Sequence, residues 1–341
     1  VVRVENRGLS LKRDLEALRL ATTDVGSLPL QDDFKPERAN LRKAIADKLS
    51  AGLDYPCCPQ LLGTKEHPMN MNLQFLTPLA DAHGLKIDGE NAHQTGHVTK
   101  PKHPVGLEAA TFFLEWLKEN NQLGRIKGLK ACVTGPFTLA GYIDRTDILT
   151  CGASKPDLVT ALAEIVADAC KELERAGFAI VNVDEPFLAV MLGRRILYGY
   201  RLGFIIETLD SIIEGLRCFT GIHTCGAVSP TIKRMMLRAA NDIIDHELQG
   251  TPTNLKVYRR AEIEKHNKIL GLGVVSTTNA RVETVEQIRH SVEENLTLFG
   301  RNIIVKPDCG LGGLLGQPSA YENSIQKLRN LVQATLQVRE G

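Results

Sequence analysis

PDLVTALAEIVADACKELERAG (156–177), followed at once by FAIVNVDEP (178–186), is the stretch that decides the architecture. In its first part apolar residues return every three to four positions, as on one face of an amphipathic helix, and Gly177 is a natural stop after the last turn. Its second part is a short β-rich run that closes in a polar, proline-containing turn. Similar runs follow downstream as LRCFTGIHTCG (216–226), NDIIDHELQG (241–250), KILGLGV (268–274) and NIIVKPDCG (302–310), with RVETVEQIRHSVEENLTLFG (281–300) as a second helical segment ending at Gly300. Upstream lie LATTDVGS (20–27), GLDYPCCP (52–59) and LKACVTGP (129–136). Eight strands alternating with helices predict an α/β fold, a parallel (β/α)8 TIM barrel, in which reactive groups gather where strands end and loops begin.

The expected organisation is an accessory helix over residues 1–20 and a single catalytic barrel over 21–341, with an elaborated loop at about 60–105. That loop is long, mixed and poorly periodic, with a helical segment near Asn70 to Ala82. His93, His97 and His103 fall within it, but the surrounding Gly, Asn and Pro predict irregular backbone rather than a second metal site. Neither a repeat nor an interdomain linker is visible.

Composition excludes several classes of function. With 41 basic and 40 acidic residues the formal net charge is +1, which leaves no electrostatic footprint for nucleic acid or an anionic membrane. The first twenty residues lack the apolar core of a signal peptide, and no apolar run is long enough to span a bilayer, so a cytoplasmic location is expected. The eight cysteines are scattered without the regular spacing of a disulfide scaffold and read as reduced thiols. Strand alternation predicts that of the neighbours Cys57 and Cys58 one faces into the barrel and one outward.

His223 and Cys225 stand one residue apart at a strand end, so their side chains point the same way. Glu247 closes the next strand and Cys309 the last. Two thiolates, an imidazole and a carboxylate at one rim suit Zn2+, and soft sulfur ligands favour it over magnesium or calcium. A substrate thiol that displaces the weaker ligand, Glu247, loses its proton on binding and stays nucleophilic. GLGGLLG (310–316) lacks the Lys-Ser/Thr of a phosphate-binding loop and reads as a turn after Cys309.

The motifs HTCG (223–226), DHELQG (245–250) and KPDCGLGG (306–313), with TTDVGSLP (22–29), VTGPFTLAGY (133–142) and VDEP (183–186) in the same order, resemble the catalytic C-terminal barrel of the cobalamin-independent methionine synthases. The resemblance implies a zinc-activated homocysteine thiolate and methyl transfer to give methionine. It implies zinc ligation by His223, Cys225, Glu247 and Cys309. It places the substrate carboxylate on the turn of Val25, Gly26 and Ser27, the substrate ammonium on Asp184, and an aromatic ring for the donor at Tyr142. Asp184 and Glu247 are thus the expected catalytic residues.

Departures from the pattern narrow the expectation. The chain resembles short, single-barrel members found largely in archaea. The family's second glutamate falls near Gln60, which still hydrogen-bonds an ammonium through its carbonyl but carries no charge. The family's proton-donating histidine falls near Thr278, no acid at neutral pH, whereas a leaving pterin amine needs a proton. The expected methyl donor is therefore a methylated corrinoid, delivered by a corrinoid protein, or a methyl-pterin. Two other readings stay open: a methylcobamide:coenzyme M-type methyltransferase, and a non-catalytic zinc-binding barrel.

Overall fold

The computed structural model describes residues 14–30, 37–63 and 69–341. The polypeptide contributes β1 (Ser27–Leu28), α1 (Glu37–Ala51), β2 (Gln60–Leu61), α2 (Met71–Leu76), β3 (Leu85–Asp88), β4 (Asn91–Gln94), α3 (Glu108–Glu119), β5 (Lys130–Thr134), α4 (Pro136–Tyr142) and α5 (Pro156–Ala176). It continues with β6 (Ile180–Asp184), α6 (Phe187–Met191), α7 (Leu202–Ile213), β7 (Phe219–Thr224), α8 (Pro230–Arg238), β8 (Ile243–His246), α9 (Arg260–Lys265), β9 (Ile269–Gly273), α10 (Val285–Phe299), β10 (Ile303–Lys306) and α11 (Ala320–Glu340).

Strands β5 to β10 form one parallel sheet in chain order. The two earliest predicted runs close it: Thr22 bridges Val305, Thr23 bridges Tyr55 and Cys57 bridges Lys130, all parallel. All eight predicted runs thus take part in a TIM barrel. Register places Thr134, Asp184, His223 and Asp245 side by side on adjacent strands, so one ring of inward positions is polar. Below it the interior is apolar, where Ile180, Ile243, Ile269 and Ile304 pack with Leu15, Leu18, Ala21 and Tyr55.

Leu15 and Leu18 belong to a four-residue 3-10 turn, Leu15–Leu18, capped by Asp14. Of the accessory helix expected over 1–20, residues 1–13 lie outside the described residues, and the remainder is this turn, which plugs the bottom of the barrel. Helix α5 ends as predicted, with Gly177 at φ +102°. Helix α10 starts four residues later than the periodicity suggests, because Thr284 and Gln287 form a reciprocal capping box that fixes its first turn.

The elaborated loop holds more order than its sequence shows. The predicted helix is split into α2 and a 3-10 turn, Thr77–Leu79, that contains Pro78. Strands β3 and β4 form an antiparallel hairpin. Its two-residue loop begins at Gly89, whose φ is +58°, the position where such hairpins favour glycine. The hairpin is moored to the barrel through a bridge from Ala92 to Ile143 and through Asp144, which accepts from the Gln94 N–H. No helix among the described residues is long and apolar enough to cross a membrane.

Near the bottom of β9, Lys268 is buried and donates to the carbonyls of Ala239 (2.6 Å) and Asn241. Burial lowers its pKa to about 8, against the opposing charges of Asp242 and Asp210. Because the folded value lies below the unfolded one of 10.5, the folded state is stabilised as pH rises from about 8 toward 10.5, by up to about 3 kcal/mol. In urea unfolding, the parent chain is expected to gain stability relative to Lys268→Met over that window; parallel pH profiles would contradict it.

Candidate functional site

The mouth of the barrel is built around His223 at the end of β7. Its Nδ1 donates to Asp245 Oδ1 at 2.7 Å, which leaves Nε2 turned toward Cys225 Sγ (3.0 Å) and Cys309 Sγ (3.3 Å). The two sulfurs lie 3.1 Å apart. One donor atom from each of His223, Cys225 and Cys309 falls within a common 4.8 Å, the group among the described residues that could hold a metal ion. An imidazole nitrogen and two thiol sulfurs, with the outer ring nitrogen fixed by a carboxylate, have the chemistry of such a site.

Asp245 is fully inside the barrel. It bonds Lys306 Nζ at 2.7 Å as well as His223, with Lys130 Nζ 3.8 Å away. Burial opposes its charge, but Lys306 and His223 outweigh burial and hold its carboxyl well below the usual range. At His223 burial works against protonation and the charge of Asp245 overcomes it, lifting the pKa to about 10. The hydrogen bond from Cys225 holds the Cys309 thiol well below its ordinary value, helped by His223 and Lys306.

Glu247 does not join the three-residue group. Its carboxylate accepts from the Thr251 hydroxyl; the Cys225 thiol is pushed up chiefly by its bond with Cys309 and by burial, with the charge of Glu247 a lesser contribution. The backbone around it is pinned by Asp308, whose carboxylate accepts from the N–H groups of Leu248 (2.8 Å), Gln249 (2.8 Å) and Gly250 (2.6 Å). Asp308 fits because residue 273 is glycine: a Cβ there would lie 2.2 Å from Asp308 Oδ1.

Asp184, at the end of β6, is next to His223 in register. It is buried, accepts from Asn182 Nδ2 at 2.7 Å, and has its pKa raised to about 6 by burial, against the pull of His223 and Lys130. Its neighbour Glu185 is occupied in capping α4, accepting from the N–H groups of Phe137 (3.0 Å) and Thr138 (2.9 Å) and from the Thr138 hydroxyl (2.6 Å). Of the acidic pair in VDEP, one residue therefore holds a helix and the other faces the site.

The turn of Val25, Gly26 and Ser27 sits beside the Cys309 loop, where a Cβ on Gly310 would fall 1.8 Å from Ser27 Oγ. That contact accounts for the glycine after Cys309. The Gly26 N–H is committed to Asp24 Oδ2 (3.1 Å), and the Gly26 carbonyl accepts from Lys48 Nζ (2.9 Å). Lys48 and Asp24 form a buried pair at 2.6 Å that shapes the turn from beneath. Gln60 donates to the Cys132 carbonyl at 3.3 Å, with its Oε1 beside Gly26. Cys57 faces inward, its sulfur 3.6 Å from that of Cys132, while Cys58 packs in the hydrophobic core.

Tyr142 is set apart from these groups. Its hydroxyl bonds Asn70 Nδ2 at 3.0 Å and the Glu90 carbonyl, tying both halves of the elaborated loop to the end of α4. His93, His97 and His103 are exposed; His93 Nδ1 lies 3.5 Å from Asp144. Asp245, Lys306, Asp308 and Lys48 were not singled out by sequence reasoning. The first three lie inside DHELQG and KPDCGLGG, so proximity to ligand-type residues was the available signal.

Asp245→Asn keeps the shape but weakens the grip on His223, and is expected to lower Zn2+ affinity by about 10–100-fold in competition with a chromogenic chelator; unaltered affinity would show that Asp245 does not orient the imidazole. Gly310→Ala forces Ser27 aside and is expected to cost about 1–3 kcal/mol in urea unfolding.

Comparison with known proteins agrees with the fold. Residues 107–337 match the family model of the cobalamin-independent synthase catalytic domain. A methionine synthase of Methanothermobacter thermautotrophicus is 28% identical over 334 residues, covering 92% of this chain and 99% of the relative. One of Pyrococcus furiosus is 31% identical over 331 residues, covering 93% and 87%. Among solved structures, a B12-independent methionine synthase from Shewanella, in complex with selenomethionine, superimposes with a TM-score of 0.67 at 19% identity over 94% of this chain and 98% of that one. With a family model spanning most of the barrel and relatives matching nearly end to end, this chain belongs to the cobalamin-independent synthase family and is a methyltransferase.

Proposed function

We infer that the chain is a zinc-dependent thiol methyltransferase whose acceptor is homocysteine and whose product is methionine. The observation that carries this reading is the convergence of His223, Cys225 and Cys309 within 4.8 Å, beside the buried carboxylate of Asp184. Zinc bound there would lower the pKa of an acceptor thiol and leave the sulfur nucleophilic at neutral pH.

The chain's own residues supply binding and orientation. Asp245 fixes the His223 ring with Nε2 toward the two sulfurs. Asp184 offers a carboxylate for the ammonium of an amino-acid thiol, and Gln60 adds a neutral acceptor oxygen near Gly26. The Val25–Ser27 turn is the candidate for the substrate carboxylate. Its Gly26 N–H is already used by Asp24, so that role falls to the flanking Val25 and Ser27. An acceptor carrying a sulfonate and no amine would leave Asp184 buried without its cation, which favours homocysteine over a coenzyme M-type thiol.

The family's designation as cobalamin-independent counts against the corrinoid donor, and the corrinoid protein partner, that Thr278 suggests. A methylated pterin is the favoured donor. Its leaving amine must take a proton from a group other than Thr278, which is exposed with its hydroxyl 3.4 Å from that of Ser276.

Metal analysis is expected to find about one zinc per chain, lost in Cys309→Ser. Homocysteine and coenzyme M are then offered separately with a methylated pterin and with methylcobalamin. Methionine formed from the pterin supports the whole reading; methylation of coenzyme M alone sinks the acceptor, and turnover with methylcobalamin alone sinks the donor.

A further inference from the structure

The loop that carries Glu247 is tied to both of the other ligand-bearing segments. Asn254, buried, donates through Nδ2 to the carbonyls of Glu247 and Gly226, each at 2.9 Å, and accepts from the Val228 N–H at 2.9 Å. This links the loop to the turn after Cys225. Asp308 links it to Cys309 through three consecutive backbone N–H groups. The backbone of 247–254 is therefore held at both ends, so that Glu247 is carried on a fixed backbone. Its side chain is bonded to Thr251, outside the His223–Cys225–Cys309 group.

We propose that Thr251 is a positioning residue that gives the Glu247 carboxylate a hydrogen-bonded resting place off the metal, so that an acceptor thiol can take the position Glu247 vacates. The proposal rests on the zinc-site reading above, extended by Glu247 as the fourth and exchangeable ligand. A hydroxyl-to-carboxylate bond is charge-assisted, and its loss is equivalent to roughly a tenfold change in an equilibrium. Losing it shifts Glu247 back toward the metal. The direction is specific: metal is retained more tightly when no thiol is present, and the thiol binds less well. A residue that merely shaped the loop would weaken both together.

The test uses the full chain loaded with Co2+. Metal retention is read by challenge with a chelator in the absence of thiol, and homocysteine affinity by the thiolate-to-cobalt charge-transfer band. Thr251→Val is expected to raise metal retention and lower homocysteine affinity, each by roughly tenfold, with Thr251→Ser restoring both. In a Glu247→Gln background, Thr251→Val is expected to change neither, a second comparison that also guards against a simple folding defect. Unchanged values in Thr251→Val, or a fall in both, overturn the proposal. A parent chain that binds no metal overturns the zinc reading and this inference with it; a parent chain that binds metal and thiol while Thr251→Val shifts neither overturns the inference alone.

Discussion

Asp245 occupies the centre of the barrel with its carboxylate shared between His223 Nδ1 and Lys306 Nζ, both at 2.7 Å. A charge buried that deeply is tolerated only when paired and hydrogen-bonded, and here its partners reach the rim. Lys306 also donates to the carbonyls of His246 (2.9 Å), Pro307 (3.0 Å) and Asp308 (2.7 Å). One carboxylate thus orients the imidazole, and through one ammonium it fixes the strand ends that carry Glu247 and Cys309. Removing it would leave a buried lysine and a misdirected histidine at once.

Around this pair the barrel is arranged in layers. The apolar ring of Ile180, Ile243, Ile269 and Ile304, closed from below by Leu15 and Leu18, shields the polar ring above it from the bottom of the barrel. Shielding strengthens the electrostatic contacts inside. It also raises the cost of an unmet polar group, which is why Asp184 has Asn182, and Glu185 has the first turn of α4.

The buried pair of Lys48 and Asp24 plays a corresponding part on the other side of the mouth. Lys48 reaches from α1 to Asp24, to the Gly26 carbonyl and to the Cys57 carbonyl, so the first two barrel segments are drawn together by a single side chain where the regular ladder is only two residues long. The site is assembled from opposite sides of the barrel, and each side has its own internal ammonium.

The sequence by itself determined the eight strands, because alternation of short β-rich runs with amphipathic helices leaves few other ways to bury the apolar faces. It also determined that His223 and Cys225 share a side, since period two is a local property, and that Cys309 closes the last strand. It did not reveal the hairpin of Leu85–Asp88 and Asn91–Gln94, whose four-residue strands carry too short a pattern to read. Tertiary structure alone decided that Glu247 reaches Thr251, that Tyr142 moors the elaborated loop, and that Asp245 and Lys306 hold the centre. Those outcomes depend on strand register and on which side chain reaches which partner across the barrel, and neither is encoded in the local order of residues.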